Sequence, residues 1–304
     1  MAHVSYSFQV PDPKRIRLLI DTDAKNEADD QYAIAHALLT PRFINKGIIA
    51  AHFGTHRTTE SMEESYAEAR LITELLQSDV PVLKGARHAL PDERTPVPSE
   101  GADAIIREAL ADDPHPLFVI FLGPLTDLAS AYLMEPRIAE KLTAIWIGGG
   151  PYPNGGWEFN LSNDVHAANV VMGSPIPLWQ VPRNVYSSMK VSLAELEHRV
   201  KPCGEIGRYL FEQLVRFNEE YGNNANRWPL GEAWSLGDSP AVSLLLDDHE
   251  FGYELKPAPR ITPDMHYVHH QSERKIRVYH YVDPRFTLED MYAKLALFAG
   301  KAGQ

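Results

Sequence analysis

Residues 17–41 read RLLIDTDAKNEADDQYAIAHALLTP, and this stretch decides the fold. Leu18, Leu19 and Ile20 form an apolar run short enough for a strand buried on both faces of a parallel sheet. Asp21 and Asp23 stand at its end, followed by the irregular AKNEA and the pair Asp29-Asp30. Tyr32, Ala33, Ile34, Ala37 and Leu38 then fall at helical spacing until Pro41 stops the helix. Strand, acidic loop and helix make the first half of a βαβ unit. Carboxylates at the carboxyl end of its strand face the crevice where α/β sheets bind ligands.

Four aspartates within ten residues repel one another unless something positive lies among them. An acidic helix start, with Asp29 and Asp30 capping the helix and facing its dipole, accounts for the pair but not for Asp21 and Asp23. A hard cation accounts for all four, and Ca²⁺ suits a flexible loop that offers only oxygen. The segment is not an EF-hand. Lys25 occupies a ligand position there, Asn26 stands where glycine is needed, and Tyr32 where glutamate is needed.

Outward from this unit, strand and helix patterns alternate. Gly47–Ala51, Val80–Gly85, Leu117–Leu122, Leu142–Ile147 and Pro177–Val181 read as strands. Ser61–Leu76, Ala102–Ala111, Leu128–Met134 and Asp164–Met172 read as the helices between them. The alternation predicts an α/β fold: a Rossmann-like open, mostly parallel sheet with helices on both faces. Leu193–Tyr221 is helical in pattern, and NNANRWPLGEAWSLGDSP (223–240) reads as an irregular, lid-like stretch. Ala241–Leu246 reads as a helix, Tyr253–Lys256 and Lys275–Val282 as strands, and Leu288–Ala299 as a closing helix. Pro11 and Pro13 make residues 1–15 an irregular lead-in, leaving 16–304 as one domain.

The composition is that of a globular enzyme, with 44% hydrophobic and 23% charged residues among 304. A formal charge of −12 excludes nucleic acid as a partner, since that needs a basic face. The single cysteine, Cys203, excludes an internal disulfide framework and points to the cytoplasm. The first fifteen residues lack the apolar core of a signal peptide, and no apolar run is long enough for a membrane span.

The strand ends collect Asp21 and Asp23, the turn LGPLTD (122–127), the loop GGG…WEFN (148–160) and Asp238. The glycines of IGGG could bind phosphate, but no Lys-Ser/Thr follows and acidic neighbours repel an anion. Carboxylates and amides suit a neutral, hydroxyl-rich ligand instead. Here the sequence resembles the inosine-uridine-preferring nucleoside hydrolase family. IDTD…DDQYAIAHAL is similar to the family's opening strand, DxDPGxDD and helix. GPLTDLA (123–129) is similar to its GPLTNLA turn, and Gly148 to Asn160 to its GG…GN…EFN ribose loop. GDSPAV (237–242) resembles its HDPxA helix start, and VDPRFTLEDMYAKLAL its closing helix. The matches run in family order from about residue 16 to 297.

The resemblance implies Ca²⁺-dependent hydrolysis of the N-glycosidic bond of a ribonucleoside, in purine or pyrimidine salvage. It implies Asp23, Asp30, the carbonyl of Leu122 and Asp238 as metal ligands, with Asp23 also the general base. It implies Asp29, Asn154, Glu158 and Asn160 as the ribose grip. Asp21 supports the loop behind them, and Thr55 stands about where the family has an asparagine near the attacking water. A homodimer or homotetramer follows by analogy. The chain departs from the pattern in three places, one of them Lys25, a positive charge close to the proposed metal. AKNEA is two residues longer than the family's PGx, and Gly237 replaces a histidine that helps the base depart. Tyr221, Trp228 and Trp234 are candidates to stack on the base, and His52 or His56 to protonate it. These departures leave open a protein that binds nucleosides or ribose-like sugars without hydrolysing them.

Overall fold

The computed structural model describes residues 6–222, 231–270 and 272–302. The strands, in chain order, are β1 (Ile16–Thr22), β2 (Phe43–Ala50), β3 (Val82–Lys84), β4 (Leu117–Phe121), β5 (Leu142–Ile147) and β6 (Leu178–Val181). After them come β7 (Lys190–Ser192), β8 (Ala233–Ser235), β9 (Tyr253–Pro257), β10 (Arg260–Ile261), β11 (Tyr267–Val268) and β12 (Lys275–Tyr279). Eight of them form one sheet in the order β3-β2-β1-β4-β5-β6-β12-β9. All neighbours in it are parallel except β9, which runs antiparallel to β12 at the edge.

The helices are α1 (Asp30–Leu38), α2 (Ser61–Leu75), α3 (Glu100–Leu110), α4 (Thr126–Met134), α5 (Phe159–Asn163) and α6 (Val165–Gly173). They continue as α7 (Arg183–Tyr186), α8 (Leu193–Arg199), α9 (Gly204–Gly222), α10 (Pro240–Ser243) and α11 (Pro284–Ala302). All seven residues of β1 are buried, as an apolar run in the middle of a parallel sheet requires. Its alternate side chains feed two cores. Leu18 and Ile20 pack with Tyr32, Leu210 and Met291 on one face, while Leu19 packs with Ile105, Leu128 and Val171 on the other. The sheet is thus covered on both faces. From β1 the chain runs to β2 on one side and later returns to β4 on the other, so the crevice beyond the ends of β1 and β4 is the switch point where ligands bind.

Three segments differ from the sequence reading. Leu193–Tyr221 is two helices, because Pro202 lacks an N–H and Gly204 turns the chain at φ +70°. Part of the lid-like stretch is β8, paired antiparallel with β7, while 223–230 lie outside the described residues. In the Ala241–Leu246 segment the α-helix ends at Ser243. The short β7, α7 and hairpin β10–β11 carry too few residues for a periodic signal. Among the described residues no helix is long and apolar enough to cross a membrane.

Candidate active site

The loop after β1 and the turn after β4 meet at the switch point. The Leu122 N–H donates to the Asp21 carbonyl at 2.8 Å, which locks the two strand ends together. Gly123 follows, and a Cβ there would lie 3.0 Å from Asp23 Cγ, so only glycine lets this turn press onto the aspartate. Beside them opens a cavity of about 150 Å³. Six carboxylates line it: Asp23, Glu27, Asp29, Asp30, Glu158 and Asp238. The basic residues on its wall, Arg183 and Lys190, are both exposed at the rim.

Asp29, Asp30 and Asp238 are buried and present carboxylate oxygens within 4.8 Å of one another. Asp29 heads α1 but its side chain does not cap that helix. It accepts the backbone N–H groups of Gly237 and Asp238 instead, which ties the start of α1 to the turn before α10. Asp30 accepts from the Thr22 hydroxyl and shares a hydrogen bond with the Asp238 carboxyl. Burial pushes Asp29 up to about 7 and Asp30 up to about 6. Asp238 is pushed up by burial and then by the charges of Asp29 and Asp30. Burial among like charges disfavours the ionised form of all three, and a cation among them would offset that cost. Oxygen-only donors of this kind fit a hard divalent ion. Lys25 is turned away from them, to Glu68 Oε2 at 2.9 Å.

A family model described as inosine-uridine preferring nucleoside hydrolase matches residues 18–288. The chain belongs to this family. It is 26% identical over 265 residues to the pyrimidine-specific ribonucleoside hydrolase RihA of Salmonella paratyphi A, covering 79% of each chain. A solved purine-preferring ribonucleoside hydrolase from Gardnerella vaginalis superposes with TM-score 0.76 at 21% identity, over 93% of this chain and 99% of that one. The plant nucleoside hydrolase PpNRh1 superposes at 0.72 with 20% identity, covering 92% and 99%. Family membership makes the chain a nucleoside N-glycosyl hydrolase.

Of the residues this family's pattern singles out, the cavity gathers Asp23, Asp29, Asp30, Leu122, Glu158, Asn160 and Asp238. The tight acidic trio contains Asp29, which the pattern assigns to ribose, where the pattern has Asp23. Asp23 lines the same cavity and accepts from Asn26 Nδ2 at 3.1 Å. The Leu122 carbonyl already accepts from Asn160 Nδ2 at 2.8 Å, which also reaches the Ile147 carbonyl at 2.8 Å. Glu158 is fully engaged: it accepts from the N–H groups of Gly149, Asn160 and Leu161 and from the Tyr186 hydroxyl at 2.8 Å. It thereby caps α5 and fixes the ribose loop. Asp21 is fully buried, and neither of its carboxylate oxygens has a partner among the described residues.

The structure does not bring the remaining candidates into this cavity. Asn154 sits in an exposed turn, where its carbonyl accepts the Tyr267 N–H at 3.0 Å, and Thr55 is exposed. His52 is 1% exposed and points into the core. Burial holds its imidazole down at about 4, so it is neutral. Nδ1 accepts the Gly54 N–H, and Nε2 donates to the Thr126 hydroxyl at 2.9 Å, which passes a hydrogen bond to Asp164. Trp234 is buried edge-on against Phe217 and packs β8 onto α9. Trp228 lies outside the described residues.

A second cavity of about 270 Å³ adjoins the first, sharing Asn26, Glu27 and Phe159 with it. Tyr221 and His56 line it, with Trp157 set edge-on against Phe159 at 4.5 Å. Two site residues escaped the sequence reading. Tyr186 fills the space opposite Gly237, where a Cβ would come 2.9 Å from its ring. Glu27 reaches the cavity from the loop that is two residues longer than the family's, and that extra length is the signal that could have found it.

Proposed function

We propose that this protein hydrolyses the N-glycosidic bond of a ribonucleoside with Ca²⁺ as its metal, giving ribose and free base. The observation that carries this reading is the buried trio Asp29, Asp30 and Asp238 beside Asp23, at the switch point of the sheet. Asp30, Asp238 and the Leu122 carbonyl hold the ion, with Asp23 or Asp29 completing the set. When bound, the ion supplies orientation and acidity to the attacking water. Asp23 takes one proton from that water as its oxygen bonds to the anomeric carbon and the carbon–nitrogen bond breaks. The carboxylates around the sugar stabilise the positive charge that develops on the ribosyl ring. Asn160 holds the sugar, and Glu158, spent on four donors, fixes the loop that carries it. The base occupies the second cavity between Trp157 and Tyr221. His56 returns a proton to the departing nitrogen.

RihA is named for pyrimidines and the Gardnerella enzyme for purines, so the base is a matter for experiment. A screen of ribose release over inosine, guanosine, adenosine, uridine and cytidine, with Ca²⁺ supplied, tests the reading. Release from at least one substrate, lost in Asp23→Asn, supports it. No release from any sinks it.

A further inference from the structure

We propose that Glu27, in the loop between β1 and α1, accepts a hydrogen bond from a hydroxyl of the bound sugar where the sugar joins the base, which makes it a substrate-contacting residue. The inference rests on the nucleoside reading above and adds a contact to it.

The loop is fastened on every side of Glu27. The Gln31 amide holds the carbonyl of Ala24, and Gln213 Nε2 holds that of Ala28 at 2.8 Å. Arg57 reaches the Lys25 carbonyl at 3.1 Å, the Asn26 carbonyl, and Asn26 Oδ1 at 3.0 Å. The same guanidinium donates to the Tyr221 hydroxyl at 2.8 Å, so it clips the loop to α9. The Asn26 N–H closes a turn onto the Asp23 carbonyl at 2.7 Å. The Asn26 side chain is spent on Asp23 and Arg57. Glu27 is different. Its carboxylate lines both cavities and feels Asp29, Asp30, Glu158 and Arg57, with no hydrogen bond or ion pair to any described residue.

Glu27 is half-buried, so water serves its carboxylate in the free protein; a ligand filling the two cavities displaces that water, and the carboxylate then needs a donor from the ligand. A ligand that brings a donor relieves the cost. The position decides which donor. Residues shared by the sugar cavity and the aromatic cavity flank the glycosidic bond. On common bases the atoms beside the glycosidic nitrogen are ring C–H groups and acceptors, which give a carboxylate nothing to accept. The sugar hydroxyls are donors. Glu27 stands outside the trio of close carboxylates, and the Ca²⁺ titration below separates a sugar contact from a metal contact.

The experiment combines removal of the carboxylate with removal of each hydroxyl. Dissociation constants of inosine and uridine, and of their 2′-, 3′- and 5′-deoxy analogues, are measured calorimetrically with Ca²⁺ present. An Asp23→Asn background keeps the ligands intact, and each is titrated with and without Glu27→Ala. The expected result is a loss of about 10- to 100-fold on the parent nucleosides that vanishes on one deoxy analogue, which identifies the partner hydroxyl. Ca²⁺ affinity stays within about threefold, and Glu27→Gln recovers part of the loss. An equal loss on every analogue, no loss on any, or a tenfold fall in Ca²⁺ affinity overturns the inference. Base release by the wild-type protein is read separately, so failure of hydrolysis and failure of this contact are told apart.

Discussion

Calcium should stabilise the protein more at about pH 8 than at about pH 5, and the acidic trio sets the size of the difference. In the metal-free state burial holds Asp29 at about 7 and Asp30 at about 6, against an ordinary value of 3.8. Acids raised in the folded state give stability that is full below about pH 4 and lost as pH climbs through about 6 to 7. The cation replaces those protons. Near pH 8 it meets ionised carboxylates, whereas near pH 5 it must displace protons and binds more weakly by about a hundredfold or more. A hundredfold excess over the dissociation constant adds about 2.7 kcal/mol. With 304 residues at about 2.1 cal/mol/K each, the unfolding entropy is about 0.6 kcal/mol/K, so the midpoint rises by about 4 °C. At about pH 5 the rise should fall below about 1 °C. His36 and His52, both held near 4 by burial, destabilise the fold as pH drops below about 6.5. They act equally with and without calcium and cancel in the difference. Differential scanning fluorimetry of chelator-treated protein, with and without calcium, reads the effect. Equal shifts at the two pH values, or an undiminished shift in Asp238→Asn, would refute the reasoning.

Asp23→Asn should cut turnover by at least about 10² to 10⁴ while the melting temperature holds, as read by ribose release and a thermal melt. Gly237→His, which restores the family's residue, should cost about 1–3 kcal/mol because its Cβ meets the Tyr186 ring at 2.9 Å. Denaturant titration measures that loss, and it should shrink in the double variant with Tyr186→Ala. His52→Ala should destabilise by about 1–3 kcal/mol through the orphaned Gly54 N–H and the lost donor to the Thr126 hydroxyl, with kcat little changed in the folded fraction. A large fall in kcat at unchanged stability would return His52 to the chemistry.

The first βα unit was legible because a central parallel strand is an uninterrupted apolar run, and aspartates clustered at its end have few uses besides a ligand site. Asp238 and the EFN loop were legible only through the family's pattern, since they join the cavity from far along the chain. What sequence hid was direction. A histidine at the end of β2 can face the crevice or the core, and His52 faces the core because Thr126 and Gly54 provide for both ring nitrogens. Trp234 looks like a stacking residue by type, yet β8 turns it inward onto Phe217. The exchange of a histidine for Gly237 gains meaning only with Tyr186, 51 residues away, in the space that results. Glu27 drew no reading from the sequence, since nothing in AKNEA alone tells which of its residues lines a cavity.

The central claim is that the carboxylates beyond β1 and β4 cleave nucleosides through a single divalent ion. Its most direct test is ribose release from the best nucleoside by protein as purified, after exhaustive chelation, and after calcium is returned. The account predicts loss on chelation and full recovery with one calcium per chain. Release that persists undiminished in protein shown to be free of metal would contradict it.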